Sequence, residues 1–125
     1  MKKIILDTNF LTIPYQFGID IFQEIDRVVE DKYELTTLDC VVEELKKLEK
    51  SRGKDAASAR VALTLIRVKN VKVINTGEKK VDITIYKKAD KNTIIATNDR
   101  ELKQKLKNKN VKVLYLRSKK HIVMG

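Results

Sequence analysis

The chain is 125 residues long, the size of one domain, and carries 27 Lys and Arg residues against 17 Asp and Glu, a formal net charge of +10. That balance favours a polyanion such as nucleic acid over a basic protein as the partner. The single cysteine, Cys40, excludes an internal disulfide, and no apolar run approaches the roughly 20 residues that cross a bilayer. We therefore expect a cytoplasmic protein with no membrane segment.

Short apolar segments alternate with helical patterns along the chain. The first half predicts a strand at residues 3–6, a helix at 20–29, a strand at 34–37, a helix that starts near Asp39 and a helix at 56–69. The second half predicts a strand at residues 71–74, a turn at Gly77, a helix at 81–89, a strand at 93–97, a helix at 99–107 and a strand at 111–116.

This alternation predicts an α/β fold, with right-handed βαβ crossovers and a central, mainly parallel sheet of about five strands in a single domain. Two segments allow more than one structure. Residues 81–89 contain Ile83, Ile85 and Tyr86, which also suit a strand, and the basic tail at residues 117–125 predicts either an arm or an edge strand.

Four carboxylates, far apart in sequence, each lie near the end of a predicted strand or the start of an amphipathic helix. They are Asp7, Glu44, Asp82 and Asp99. Because parallel strands bring their carboxyl ends to one edge of the sheet, we expect these side chains to converge there. No helical pattern directly follows Asp7, so helix capping is a poor explanation for it, whereas Asp99 suits a cap as well as a site.

The helical positions of the other two acids predict which way they face. Glu44 flanks the apolar stripe of its helix and is expected to face the sheet, whereas the adjacent Glu43 points away. As a helical residue, Asp82 would share the inward face of Ile85 and Ala89.

Several acids in one cleft need a compensating charge, since two carboxylates about 4 Å apart repel by roughly 4 kcal/mol at an effective dielectric of about 20. Carboxylate oxygens suit Mg²⁺ or Mn²⁺, ions that lower the pKa of bound water and stabilise charge on a phosphodiester. A glycine-rich phosphate loop is lacking, and the one histidine, His121, lies in the basic tail. Nucleotide cofactors and histidine-based catalysis are therefore disfavoured.

The chain resembles the PIN-domain nucleases over nearly its whole length. The similar segments are Asp7-Thr8-Asn9-Phe10, residues 39–45, Val81-Asp82, residues 96–102 and residues 113–116. Within that superfamily it looks closer to the small-subunit ribosomal RNA processing nucleases and their archaeal relatives than to the toxins of toxin–antitoxin pairs. One departure is Ile83, where relatives often carry a second aspartate.

The resemblance implies a Rossmann-like α/β/α sandwich and Mg²⁺- or Mn²⁺-dependent cleavage of single-stranded RNA. It gives the family's catalytic, metal-binding acids as Asp7, Glu44, Asp82 and Asp99, with Asn9 and Thr97 at supporting polar positions. The leading hypothesis is thus a metal-dependent endoribonuclease, acting for example in ribosomal RNA processing. The alternatives are a non-catalytic RNA-binding module for ribosome assembly, with a degenerate acid cluster, and a toxin ribonuclease held by an antitoxin protein; a homodimer stays open.

Contacts with RNA are assigned from charge and aromatic content alone. The basic candidates are Arg100, Lys103, Lys107, Lys119 and Lys120. The aromatic candidates for base stacking are Tyr15, Phe17 and Tyr115.

Overall fold

The computed structural model describes the whole chain, Met1–Gly125, as six strands and seven helices. In chain order they are β1 (Lys2–Leu6), α1 (Thr8–Leu11), α2 (Ile13–Phe17), α3 (Ile21–Val28), β2 (Tyr33–Leu38), α4 (Asp39–Glu49), α5 (Gly53–Val68), β3 (Lys72–Ile74), α6 (Val81–Lys88), β4 (Thr93–Ala96), α7 (Arg100–Asn108), β5 (Lys112–Arg117) and β6 (His121–Met124).

The strands form one sheet in the order β3-β2-β1-β4-β5-β6, in which only the β5–β6 pair is antiparallel. The α/β class and the mainly parallel sheet are confirmed. The sheet has six strands rather than about five, because the basic tail folds back as the edge strand β6.

Strand order reverses between β1 and β4, and this reversal positions the site. From β1 the chain moves outward to β2 and β3, then crosses back to β4 and moves out the other way. Right-handed crossovers therefore place α4 and α5 on one face and α6 and α7 on the other, and each of these helix pairs packs together. The carboxyl ends of β1 and β4 flank the resulting crevice, where such sheets bind ligands.

Burial explains why the central strands are uninterrupted apolar runs. Ile4, Ile5 and Leu6 of β1 are at most 1% exposed, as expected of a strand covered on both faces. Cys40 is also buried and packs in the core.

Two short helices were missed from the sequence. Helix α1 has 4 residues and α2 has 5, too short to show an apolar period. Their local signals are Pro14 near the start of α2 and Gly18, which ends it in a left-handed conformation with φ of 64°. The segment at residues 81–89, which also allowed a strand, contains helix α6, which ends at Lys88.

The outer edge of β6 is covered by side chains of α3. The Ile122 N–H donates to Glu24 at 2.9 Å, and the Arg27 guanidinium donates to the Ile122 carbonyl at 3.0 Å. These bonds occupy groups that an open edge would offer to another strand. The neighbouring His121 is solvent-facing. None of the helices is long and apolar enough to cross a membrane.

Candidate active site

Asp7 lies at the end of β1 and is only 3% exposed. One carboxylate oxygen accepts a hydrogen bond from the Thr8 N–H at 2.8 Å, which caps helix α1. The other accepts the Thr97 hydroxyl at 2.6 Å. The expectation that Asp7 caps nothing is therefore wrong, although one N–H and one hydroxyl are few partners for a buried carboxylate.

The environment of Asp7 raises the pKa of its carboxyl to about 6, from an ordinary value of 3.8. Burial is the main cause, because it penalises the charged form. The hydrogen bonds from Thr97 and Thr8 oppose the rise, whereas the negative charges of Asp82 and Glu44 add to it. Asp7 therefore senses two of the other predicted acids, from α6 and α4.

Thr97 connects Asp7 to the fourth acid. The register pairs Leu6 with Ala96, so the residues that follow each strand meet at the crevice. The Thr97 hydroxyl donates to Asp7 and accepts the Asp99 N–H at 3.1 Å. Asp99 in turn caps α7, accepting the Leu102 N–H at 3.0 Å. Asp7 and Asp99 thus lie at the same edge of the sheet, where the Thr97 hydroxyl bonds both the Asp7 carboxylate and the Asp99 N–H.

Asn9 braces the loop that carries Thr97. Its side-chain oxygen accepts the Asn98 N–H at 3.0 Å, and the side-chain oxygen of Asn98 accepts the Leu116 N–H at 2.8 Å. Asn9 has no hydrogen bond to Asp7, so it supports the acid only through the β4–α7 loop. Thr97, the other predicted supporting residue, touches Asp7 directly.

Glu44 and Asp82 lie farther out than predicted. Both are exposed, whereas Ile85 and Ala89 are buried, so Asp82 does not share their inward face. The two acids nevertheless line one small cleft of about 270 Å³. Burial and the charges of Asp99, Glu44 and Glu101 raise the pKa of Asp82.

These four carboxylates match a divalent cation in charge and ligand type. None of them forms a salt bridge, although Lys80 lines the cleft of Glu44 and Asp82, and the charge of Lys105 lowers the pKa of Asp82 against its overall rise. Beside Asp7, the buried Thr8 hydroxyl has no hydrogen-bond partner. No three acidic, histidine or cysteine side chains are arranged to hold one ion. The four carboxylates supply oxygen ligands of the kind that Mg²⁺ and Mn²⁺ take. Their side chains would have to move closer together to hold one ion.

Basic residues lie beside the acids on the β4–β5 side. Burial, followed by the charges of Lys107 and Arg100, lowers the pKa of Lys103, so these three α7 residues form one cationic group. The Lys103 ammonium lies 3.9 Å from the centre of the Tyr115 ring. Lys119 and Lys120 occupy the β5–β6 turn, which follows the carboxyl end of β5. Their contact with RNA stays a prediction.

One aromatic residue beside the acids is not among the predicted stacking candidates. Tyr86 of α6 lines a groove together with Asp82 and Asp99. Tyr15 instead lines a separate groove formed partly by α5, and Tyr115 does not line the groove of Asp82 and Asp99. The available signal was the spacing of Ile83 and Tyr86, which lie one turn apart on the outer face of a helix.

Asp39 also has a role beyond the helix start predicted for it. Its carboxylate accepts hydrogen bonds from Thr76 and from the Gly77 N–H, in the loop before α6. Gly77 forms the predicted turn with φ of 71°. These bonds tie α4, which carries Glu44, to the loop that leads into α6.

The chain is similar to known proteins over nearly its whole length. Residues 4–119 match the family described as PIN like domain. The chain is 40% identical to Ribonuclease VapC4 of Methanocaldococcus jannaschii over 97% of this chain and 95% of that protein. It is 34% identical to Ribonuclease VapC9 of Archaeoglobus fulgidus over 98% of this chain and 88% of that protein.

Among solved structures, the PIN domain endonuclease Utp24 has a similar fold. The TM-score is 0.81 at 26% sequence identity, over 98% of this chain and 90% of that one. Fold, length and sequence thus agree across the chain, and the protein belongs to the family of PIN-like domain ribonucleases.

Proposed function

We propose that this protein is a metal-dependent endoribonuclease that cuts single-stranded RNA in the cytoplasm, and that it is the ribonuclease of a toxin–antitoxin pair. The observation that carries the catalytic proposal is the set of four carboxylates, without a salt bridge among them, around the β1–β4 crevice. Nucleases of this family generally use divalent ions. The relatives named VapC favour the toxin over the ribosomal hypothesis.

The residues that would hold Mg²⁺ or Mn²⁺ are Asp7, Glu44, Asp82 and Asp99. When bound, such an ion lowers the pKa of a water and stabilises charge on the phosphodiester. Thr97 and the Thr8 N–H fix the orientation of the Asp7 carboxylate, and the Leu102 N–H fixes that of Asp99. The raised pKa of Asp7 means that its carboxylate becomes fully charged only above pH of about 6.

The basic residues would hold the strand through its phosphates. The group of Arg100, Lys103 and Lys107 starts beside Asp99, and the β5–β6 turn adds further lysines. Because each neutralised phosphate releases counterions, RNA binding should weaken steeply as salt concentration rises.

A cleavage assay with two adjacent glutamates tests the catalytic proposal. In a manganese buffer with a labelled single-stranded RNA, Glu44→Gln should lower the rate by at least about 100-fold, since it removes a ligand from the metal site. Glu43→Gln is the matched control: Glu43 is exposed, contacts Lys46 at 3.6 Å and should tolerate the change. Equal rates in wild type and Glu44→Gln would reject the assignment of Glu44.

The similarity to Utp24 favours a second candidate, an RNA-processing nuclease. Expression in a host cell separates the two. A toxin should arrest growth, Asp7→Asn should abolish the arrest, and a protein encoded beside it should relieve the arrest by binding the ribonuclease. Deletion of a processing nuclease should instead cause ribosomal RNA precursors to accumulate while overexpression leaves growth unchanged.

A further inference from the structure

We propose that the groove between α6 and α7 binds one base of the RNA strand, next to the phosphate that is cleaved. This inference rests on the proposed ribonuclease function, which supplies the strand. The groove has a volume of about 610 Å³, within the range of small-ligand sites. A nucleotide therefore fits it.

The walls of the groove are apolar where a base would lie. Ile83 and Tyr86 are 49% and 38% exposed and lie one turn apart on α6, so both face the groove from one side. Leu102 of α7, only 3% exposed, is the third apolar residue of the lining. Large apolar side chains left open to solvent beside a catalytic cleft are typical of a binding surface.

One end of the groove is the carboxylate site itself. Asp82 and Asp99 line both, so an occupant of the groove lies directly against the acids. Lys87 and Lys105 also line the groove and supply positive charge for phosphates on either side of the base. A neutral aromatic ring in the apolar part, with its phosphates near the lysines and the site, matches this distribution of charge.

Tyr86 is held in place as a stacking platform. The Lys109 ammonium lies 4.4 Å from the centre of the Tyr86 ring and donates a hydrogen bond to the Tyr86 carbonyl at 2.6 Å. Lys109 is not part of the groove lining, so it fixes the ring without filling the groove. Bases of any identity stack on such a ring, and the loss of one stacking partner typically weakens binding at least about fivefold.

A helix of a partner protein matches the groove less well. Helix-in-groove recognition uses several apolar anchors over two or more turns. Of the apolar residues that line the groove, only Ile83 and Tyr86 are exposed, and three carboxylates and two lysines also line it. The small apolar part of the groove therefore matches one base ring better than the apolar face of a helix.

The test combines protein variants with RNA that lacks one base. RNA binding is measured by fluorescence anisotropy in manganese buffer on Asp7→Asn protein, so that cleavage does not interfere, with and without Tyr86→Ala. The RNAs share one sequence and carry a single abasic ribose at each position in turn. We expect Tyr86→Ala to weaken binding to intact RNA at least about fivefold. One abasic position should weaken binding to the parent protein equally, and Tyr86→Ala should cause no further loss on that RNA.

Ile83→Ser is the second variant. It should also weaken binding to intact RNA and cause no further loss on the RNA with the same abasic position. This coupling between a side chain and one abasic position marks the base site. Val68→Ser and Val73→Ser are matched controls, because these residues are 58% and 43% exposed and do not line the groove. They should bind every RNA as the parent does. An equal effect of Tyr86→Ala on all RNAs, or no effect on any, would overturn the base site.

Cleavage by the wild type is measured separately, which keeps the two proposals distinct. Cleavage without the coupling overturns the base site and leaves the ribonuclease function intact. Coupling without cleavage supports the base site and rejects the function. Loss of protein-partner binding in Tyr86→Ala, with RNA binding unchanged, would assign the groove to a protein and overturn the proposal.

Discussion

Asp7 and Asp39 occupy equivalent places in the fold, but the pKa values of their carboxyl groups shift in opposite directions. Each directly follows a parallel strand, β1 or β2, at the same edge of the sheet. Asp39 accepts hydrogen bonds from the Cys40 N–H at 2.9 Å, the Thr76 hydroxyl at 2.6 Å, and the N–H groups of Thr76 and Gly77 at 2.9 Å. These bonds, led by that of the Thr76 hydroxyl, lower its pKa, whereas burial raises that of Asp7 to about 6.

The difference shows that position at the carboxyl edge does not by itself make a functional acid. Four donors satisfy Asp39, so its charge serves to hold α4 and the loop before α6 together. Asp7 has two donors and two acidic neighbours, so its charged form gains most from an added cation. Burial together with a smaller supply of hydrogen bonds therefore separates Asp7, which is available to bind metal, from the structural Asp39.

The sharpest test of this contrast is the activity of the two asparagine variants. Asp7→Asn removes a charged ligand and should lower the rate of RNA cleavage by at least about 100-fold in manganese buffer. Asp39→Asn should keep most of the activity but melt at a lower temperature, because an amide cannot accept all four hydrogen bonds. The reverse pattern, with activity lost at Asp39 and kept at Asp7, would exchange the two roles.

The stability of metal-free protein should respond to the same variants with opposite signs. The folded pKa of Asp7 exceeds its ordinary 3.8, so folded protein takes up this proton more readily and loses stability as pH rises from about 4 to 6. Asp7→Asn should therefore gain up to about 3 kcal/mol in unfolding free energy at pH of about 8. Chelator-treated samples unfolded in urea measure this gain.

At pH of about 2.5 the Asp7→Asn gain should vanish, because the wild-type carboxyl is then almost fully protonated in both states. The Asp39 pKa is lowered, so its contribution is present above the ordinary 3.8 and is lost as pH falls below it. Asp39→Asn should accordingly destabilise the protein at neutral pH and less so in acid. A loss of stability in Asp7→Asn at pH of about 8 would indicate a structural carboxylate.

Local patterns account for what the sequence predicted of the fold and site. Uninterrupted apolar runs predicted β1 and β4. The acids that follow them both contact the Thr97 hydroxyl, Asp7 through its carboxylate and Asp99 through its backbone N–H. Helix α6 was ambiguous because β-branched residues weaken its period. Helices α1 and α2 were missed because one turn carries no period, and so Asp7 was judged to have no helix to cap.

The features that the sequence could not predict depend on distant residues. The resemblance predicted Thr97 as a supporting residue but not the acid that it bonds, Asp7, 90 positions away. Three of the four donors to Asp39 lie 37 or 38 positions away. Which hydroxyl reaches which carboxylate depends on strand register and loop conformation. The groove at Tyr86 exists because α6 packs beside α7, which no local pattern of either helix encodes.

Stabilisation by a bound metal should distinguish the roles of the two aspartates further. Mn²⁺ at about 100 times its dissociation constant should stabilise the wild type by roughly 2.7 kcal/mol, since it binds only the folded chain. Asp39→Asn should keep this stabilisation and Asp7→Asn should lose most of it. Thermal melts at graded Mn²⁺ concentrations measure the effect, with Ca²⁺ and a chelator as references. A melt of the wild type that ignores Mn²⁺ would contradict the metal assignment.

The smallest expected effect compares the two threonines that donate to these aspartates, each with a hydroxyl at 2.6 Å. The Thr97 bond favours the charged form of Asp7, so Thr97→Val should raise the Asp7 pKa further, by about one unit. Thr97→Ser keeps the hydroxyl and should restore the wild-type value. Thr76→Val should leave Asp7 unchanged, because that hydroxyl serves Asp39. Carboxyl titration by NMR on metal-free protein measures all three. If Thr97→Val leaves the Asp7 pKa in place, hydrogen-bond supply is not what distinguishes the two acids, and burial alone must account for the contrast.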